Sequence, residues 1–215
     1  MVIAIKSSLM YVAISCHPPI SVYASMNASS SFPLLGESLS LDLVNTRVSQ
    51  DGSVVDLLDT PAALNVWLRA QSKRLSWVGT ANTADWRAVR ALREAIVELF
   101  RARREHSRPA AAAVVEVSKA LSAPSARVRL VWTGREPRLA PLSPRSRRSA
   151  LLGELAADAV AALTGPQAKH LRKCANPDCI LQFIARNPRR QWCSSALCGN
   201  RSRVAHHYRL HHGAD

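Results

Sequence analysis

No uninterrupted run of about 18 to 20 apolar residues occurs in this 215-residue chain, which excludes a membrane-spanning helix on length. The chain also lacks a glycine-rich loop of the kind that cradles phosphates, a nucleophile elbow, and a carboxylate pair at acid/base spacing. A binding protein is therefore expected, not an enzyme. Acidic residues are scarce: 15 Asp plus Glu face 29 Lys plus Arg, a net charge of +14. Such an excess points to an acidic partner, most commonly nucleic acid and next an anionic membrane surface, and charge alone does not choose between them. Internal repeats and long low-complexity tracts are absent too, and a hydrophobic fraction of 47% is enough to bury a core, which argues against a wholly disordered chain.

The scarcities are local. From Lys169 to Arg209 there are nine Lys or Arg and one acid, Asp178, and five of the seven His also lie at this end. Cysteine follows the same division, with Cys174, Cys179, Cys193 and Cys198 close together and only Cys16 elsewhere. Two composition shifts at one place mark a separate module.

The first 32 residues carry a weak resemblance to an export signal: Lys6, then the apolar Leu9 to Ile14, then Val22-Tyr23-Ala24. The apolar run is short and His17-Pro18-Pro19 follows it, so residues 1–32 are read as a disordered extension or a start assigned too early, with Met26 the alternative. A cytoplasmic location goes with that reading.

Beyond Gly36, the segment 37–46 fits strand and helix periodicity alike, and its type stays open. Asp51-Gly52 reads as a turn. Thr60-Pro61 opens a short helix to about 71 that should bury Leu64, Trp67 and Leu68. A long helix capped by Thr83 runs to about 105, with Trp86, Val89, Leu92, Ile96, Leu99 and Phe100 on one stripe. Another helix spans 110–121. Arg127–Thr133 and Pro137–Leu142 read as two strands joined at Gly134-Arg135, and a helix from about 146 to 164 should turn Leu151, Leu152, Leu155, Ala159, Val160 and Leu163 inward. Gly165-Pro166 ends it. The fold class is α+β: a mostly helical N-terminal domain with a small β-sheet over 33–165, then a small four-cysteine module over 170–213.

The cysteine pattern is Cys174-x4-Cys179, thirteen residues, then Cys193-x4-Cys198. Each pair suits a tight turn, Asn176-Pro177-Asp178 in the first, and an intervening hairpin would bring the turns together around one tetrahedral centre. Cys198 is expected near a helix N-terminus, where the backbone dipole favours the thiolate. Zinc is the expected metal, with iron the alternative for tetrahedral sulfur. Two disulfides would need an oxidising compartment. Four protein ligands leave no open position, so the one zinc would be structural, organising a segment too small to be stable on its own core.

Cys-Ala-Asn-Pro-Asp-Cys, then Arg189-Arg190-Gln191-Trp192-Cys193-Ser194, then Cys198-Gly199-Asn200-Arg201 with a basic helix, resembles the CGNR zinc-finger family. Leu41-Asp42-Leu43-Val44-Asn45-Thr46, the Trp67-Leu68 helix and Arg90-Ala91-Leu92-Arg93-Glu94 resemble the ABATE domain that precedes this finger in bacterial proteins. The resemblance covers about residues 33 to 212. It implies a stress-induced transcription regulator whose finger binds DNA and whose N-terminal domain senses a ligand or contacts a partner. Many relatives have an Asp and a Ser in a longer stretch between the cysteine pairs, where this chain has Phe183-Ile184-Ala185-Arg186-Asn187. The finger would be treble-clef-like or zinc-ribbon-like, a hairpin plus a C-terminal basic helix.

Beside the resemblance, the basic residues themselves suit phosphate contacts, and arginine's fork also reads guanine edges. The candidate nucleic-acid-binding residues are Arg189, Arg190, Asn200, Arg201, Arg203 and Arg209. Val204 offers an apolar contact to hold the last helix to the finger, and Trp192 reads as finger core more than as a stacking platform. Arg145, Arg147 and Arg148 could extend the basic surface. Asp42 and Asn45 form a compact polar pair in an apolar stretch, suited either to a small-molecule ligand or to linking elements by hydrogen bonds. DNA is the leading partner. An RNA-binding module and a protein-interaction adaptor with a purely structural zinc are the alternatives. A second copy would add contacts that one small finger lacks, making a homodimer an expectation as well.

Overall fold

Ser38 settles the type of the ambiguous segment. Its side chain accepts from the Leu41 N–H and caps a six-residue helix, α1 (Leu39–Val44), which ends at Asn45. All six residues are buried, so leucines on opposite faces are both satisfied. Helix α1 packs against two longer helices, α3 (Thr83–Arg104) and α5 (Arg147–Thr164). The Ser40 amide and hydroxyl both donate to Asp158 of α5, at 2.8 and 2.6 Å.

The computed structural model of the chain describes residues 32–50, 52–122, 128–133, 136–141 and 147–204. The extension expected over 1–32 lies outside them except for Phe32, which belongs to the main core. After α1 comes a hairpin that periodicity did not reveal, β1 (Arg47–Gln50) with β2 (Ser53–Asp56), paired from Arg47↔Asp56 to Gln50↔Ser53. Its strands are short and largely polar. Gly52 between them has φ 78°, a conformation that favours glycine.

Helix α2 (Pro61–Ala70) starts where expected, with Thr60 as cap and proline in its first turn, and it buries Leu64, Trp67 and Leu68. Helix α3 is capped by Asn82, not Thr83. The Asn82 side chain accepts from the Ala84 and Asp85 amides while the Asp85 carboxylate accepts from the Asn82 amide, a reciprocal box that Thr83 cannot form from inside the helix. On its expected stripe Val89, Leu92, Ile96 and Phe100 are buried, while Trp86 and Leu99 are half-buried against the core. Helix α4 (Ala111–Leu121) packs against α3 and α5.

The one hairpin expected in the N-terminal domain is present as β3 (Val128–Thr133) and β4 (Glu136–Pro141), paired antiparallel. Gly134-Arg135, Pro124 and Arg145 lie outside the described residues. Helix α5 buries Leu151, Leu155 and Ala159 as expected, and also Ala156 and Ala162; Leu152, Val160 and Leu163 are partly covered at the edge of the core.

A short 3-10 turn (Ala168–His170) leads into the C-terminal module, where β5 (Leu171–Lys173) pairs antiparallel with β6 (Gln182–Ile184). A π-helical turn (Ser195–Gly199) follows, and residues 200–204 continue it as α-helix. The described residues thus hold three two-stranded antiparallel hairpins on a mostly helical frame. No described helix is long and apolar enough to cross a membrane.

The two modules share their packing. Leu171 belongs to the main core and Ile184 packs on it, while Leu35 and Val48 from the N-terminal side pack on the apolar cluster around the cysteines.

Candidate metal centre and basic surface

The hairpin that organises the cysteines is not the intervening one expected from the spacing. Cys174 and Cys179 sit in the connection between β5 and β6, so the hairpin carries the first pair at its tip, and only β6 and an irregular turn separate the pairs. The Cys174 amide donates to the Leu181 carbonyl at 2.9 Å and closes this tip. Asn176 works as the turn chemistry requires: its Oδ1 accepts from the Asp178 amide and its carbonyl from the Cys179 amide. Cys193 precedes the π-helical turn and Cys198 lies within it.

All four thiols are buried and unbridged, and their sulfurs lie within 4.8 Å of one another. Cys179 Sγ and Cys193 Sγ are 3.9 Å apart, and the Cys193 amide points at Cys174 Sγ from 3.4 Å. A metal–sulfur distance of about 2.3 Å puts the corners of a tetrahedron about 3.8 Å apart, so the sulfur-only donor set fits one tetrahedral ion. Electrostatics agree. A hydrogen bond from Cys193 brings the Cys179 thiol down to about 5. The same bond, with burial and the neighbouring sulfurs, pushes Cys193 strongly up, and burial raises Cys198 to about 11. Burial and mutual repulsion oppose ionising these sulfurs together, and a cation at their centre offsets both.

Packing around the sulfurs explains two more residues. Phe183 is fully buried beneath the cluster, with Leu181 and Ala185 beside it. Trp192 packs half-buried on the same cluster, as finger core. A Cβ at Gly199 would lie 3.2 Å from Trp192 Cδ1, so the bare glycine lets the turn approach the indole closely.

The candidate nucleic-acid residues divide sharply. Arg189, Asn200, Arg201 and Arg203 are exposed, as is Arg186. None of these four arginines has a hydrogen bond or ion pair through its side chain among the described residues. Arg190 is turned inward. It donates to the carbonyls of Trp192 (3.1 Å), Ile184 (3.3 Å) and Cys193 (2.6 Å), pairs with Glu37 at 2.9 Å, and lies 4.3 Å over the Phe183 ring. Arg172 likewise ties the module together through the carbonyls of Pro188 and Arg190. Arg209, Tyr208 and the histidines from His206 onward lie outside the described residues. Val204 does not anchor the last helix: it is 62% exposed. Arg147 and Arg148 belong to the N-terminal domain, the first over Trp77 and bonded to the Val78 carbonyl, the second paired with Asp85.

Asp42 and Asn45 face different partners. Asp42 Oδ2 accepts from Arg74 at 2.6 Å and from Gln71 at 3.2 Å, whereas Oδ1 is buried without a partner. Burial outweighs the arginine and raises the carboxyl to about 6. Asn45 reaches across to the metal module: its Nδ2 donates to the Gln182 carbonyl at 2.9 Å and its Oδ1 accepts from the Gln182 amide at 2.8 Å. Sequence reasoning missed three residues of this junction. Glu37 accepts from the Ile184 amide at 3.1 Å as well as from Arg190, and Arg104 hydrogen-bonds the Gln182 side chain. Their partners lie 78 or more residues away, and no local pattern signals them.

The match to known families runs in the same order as the modules. The model of a family described as "Putative stress-induced transcription regulator", ABATE, matches residues 37–166. That of the CGNR zinc finger matches residues 170–211. No curated protein matches the chain. The second match selects zinc over iron: Cys174, Cys179, Cys193 and Cys198 fit one structural zinc ion.

Proposed function

Since the chain belongs to the ABATE family and ends in a CGNR zinc finger, we propose that it is a DNA-binding transcription regulator whose zinc module docks on the duplex. One observation carries this reading, the exposed arginines of a zinc module that has a single acid, Asp178, over Lys169 to Arg209. In the N-terminal domain Arg47, Arg74, Arg90, Arg93, Arg101 and Arg148 pair with carboxylates of the same domain, whereas Arg69, Arg87, Arg103 and Arg108 do not among the described residues. On the zinc module Arg186, Arg189, Arg201 and Arg203 stand exposed without one among the described residues. Unpaired cations fixed on a metal-pinned frame are what a phosphate backbone recruits.

Its role is binding, not catalysis: a centre filled by four thiolates offers no position for water or substrate. Reduced cysteines and an intracellular nucleic acid fit action in the cytoplasm. Regulation would come through the N-terminal domain, in response to stress or a ligand, and a second copy would extend the contact area of one small finger.

The test is a salt-titrated binding assay on the zinc-loaded chain with duplex DNA and RNA of matched length. Tighter duplex binding that weakens steeply with salt supports the proposal. Preference for RNA transfers the same cations to an RNA-binding role, and absence of binding to either leaves the zinc segment as the scaffold of a protein-interaction adaptor.

A further inference from the structure

We infer that Glu37 and Asn45 of the N-terminal domain are positioning residues of the zinc knuckles, so that metal retention and the order of helix α1 are coupled. The inference rests on the zinc centre and holds whatever the finger binds.

The argument starts from strand β6. One edge faces β5: Leu181 accepts from the Cys174 amide, Phe183 is in register with Arg172, and the Ala185 amide donates to the His170 carbonyl at 2.8 Å. The amides of Gln182 and Ile184 therefore point to the other side, where no further strand lies among the described residues. Asn45 takes both backbone groups of Gln182, and Glu37 Oε2 takes the Ile184 amide. Two side chains do the work of a third strand. Each is almost fully buried, so their polar atoms have no water to fall back on.

Glu37 also reaches the second knuckle. Its Oε1 meets the Arg190 guanidinium, whose nitrogens donate to the carbonyls of Trp192 and Cys193. A single carboxylate with a 5% exposed side chain thus holds the strand that leaves the first cysteine pair and, through Arg190, the backbone that carries Cys193. If the knuckles lose their metal and their shape, Glu37 and Asn45 keep their burial but lose their partners. The cost is felt at α1, because Asn45 is its C-terminal cap.

The experiment measures zinc affinity of the full chain by competition with a chromogenic chelator, for the unmodified protein, Glu37→Gln, Asn45→Ala, Arg190→Met and the Glu37→Gln/Arg190→Met pair. Asn82→Ala, at the start of α3, is the control for general loss of stability. Glu37→Gln and Asn45→Ala are expected to weaken zinc by roughly tenfold or more, in the range seen when outer partners of a metal site are removed. Glu37→Gln should add little once Arg190 is gone. Equal affinity for all variants, or an equal loss in Asn82→Ala, overturns the coupling. A second measurement needs no substitution: chelating zinc from the unmodified chain should strip hydrogen-exchange protection from amides 41–45, and unchanged protection there overturns it as well. Elemental analysis that finds no zinc at all overturns the metal reading, a separate failure.

Discussion

Arg93 and Asp56 meet fork to fork, with guanidinium nitrogens 2.6 and 2.7 Å from the two carboxylate oxygens, and the arginine is 1% exposed. Thr46, just after α1, accepts a third bond from Arg93 at 2.9 Å, so the pair ties the β1–β2 hairpin and the end of α1 to the middle of α3. Asp56→Ala would leave a buried charge with only Glu94 and Thr46. We expect a loss of about 3–5 kcal/mol, the range for breaking a buried pair by removing one partner. Chemical denaturation measures it, and a change within about 1 kcal/mol would show that the fork is idle.

Asp42 and Asp56 predict opposite responses to acid. Asp42 is raised by burial from 3.8 to about 6, so between those values the folded chain holds more protons than the unfolded one, and stability falls as pH rises through that window. Asp56, held down to about 2 against the pull of its own burial by Arg93 and the Leu58 amide, contributes stability above 3.8 that disappears as pH falls through 2. Measured against Asp42→Asn, the unmodified chain should lose on the order of 2 kcal/mol between pH 4.5 and 7. Protonation of the zinc ligands affects both proteins alike and drops out of the difference. A difference that does not change with pH would refute the burial argument.

Arg189 and Arg190 are neighbours of the same type with separate fates. Arg189→Ala should leave the melting temperature unchanged and lower the salt slope of nucleic-acid binding by roughly one. Arg190→Ala should lower the melting temperature and speed zinc loss, because three carbonyls and Glu37 lose their donor. Identical behaviour of the two variants in both assays would contradict their placement.

Asn82→Ala removes the side-chain acceptor of the Ala84 and Asp85 amides, leaves the backbone bond to the Asp85 carboxylate in place, and should cost about 1 kcal/mol. Thermal unfolding of the zinc-loaded protein reads this, and Thr83→Ala in the same assay should cost less, since Thr83 is not the cap.

What could be read from the sequence was what is local. The cysteine pairs, the Asn176 turn, the proline start of α2 and the apolar stripe of α3 all depend on residues within a few positions of one another. The four-residue strands of β1–β2 escaped because so short and polar a segment has no periodicity to detect. Thr83 and Asn82 are both good caps, and only the reciprocal bond of Asp85, three residues beyond Asn82, separates them. The roles of Asn45 and Arg190 depend on partners that only folding supplies. Asn45 was legible as a linker or a ligand-binding residue; its actual partner is Gln182, 137 residues further on.

That separation bears on the order of events during synthesis. Asn45 leaves the ribosome long before Gln182, and Glu37 long before Arg190. Until the last cysteine pair has emerged, the Asn45 amide and the Glu37 carboxylate beside α1 lack the partners they have in the complete chain, although the leucines of α1 already have their core. Completion of the C-terminal fifth therefore bears on the N-terminal domain as well, and a chain truncated before Cys193 should be cleaved faster around α1 than the full chain, not merely be a protein without its finger.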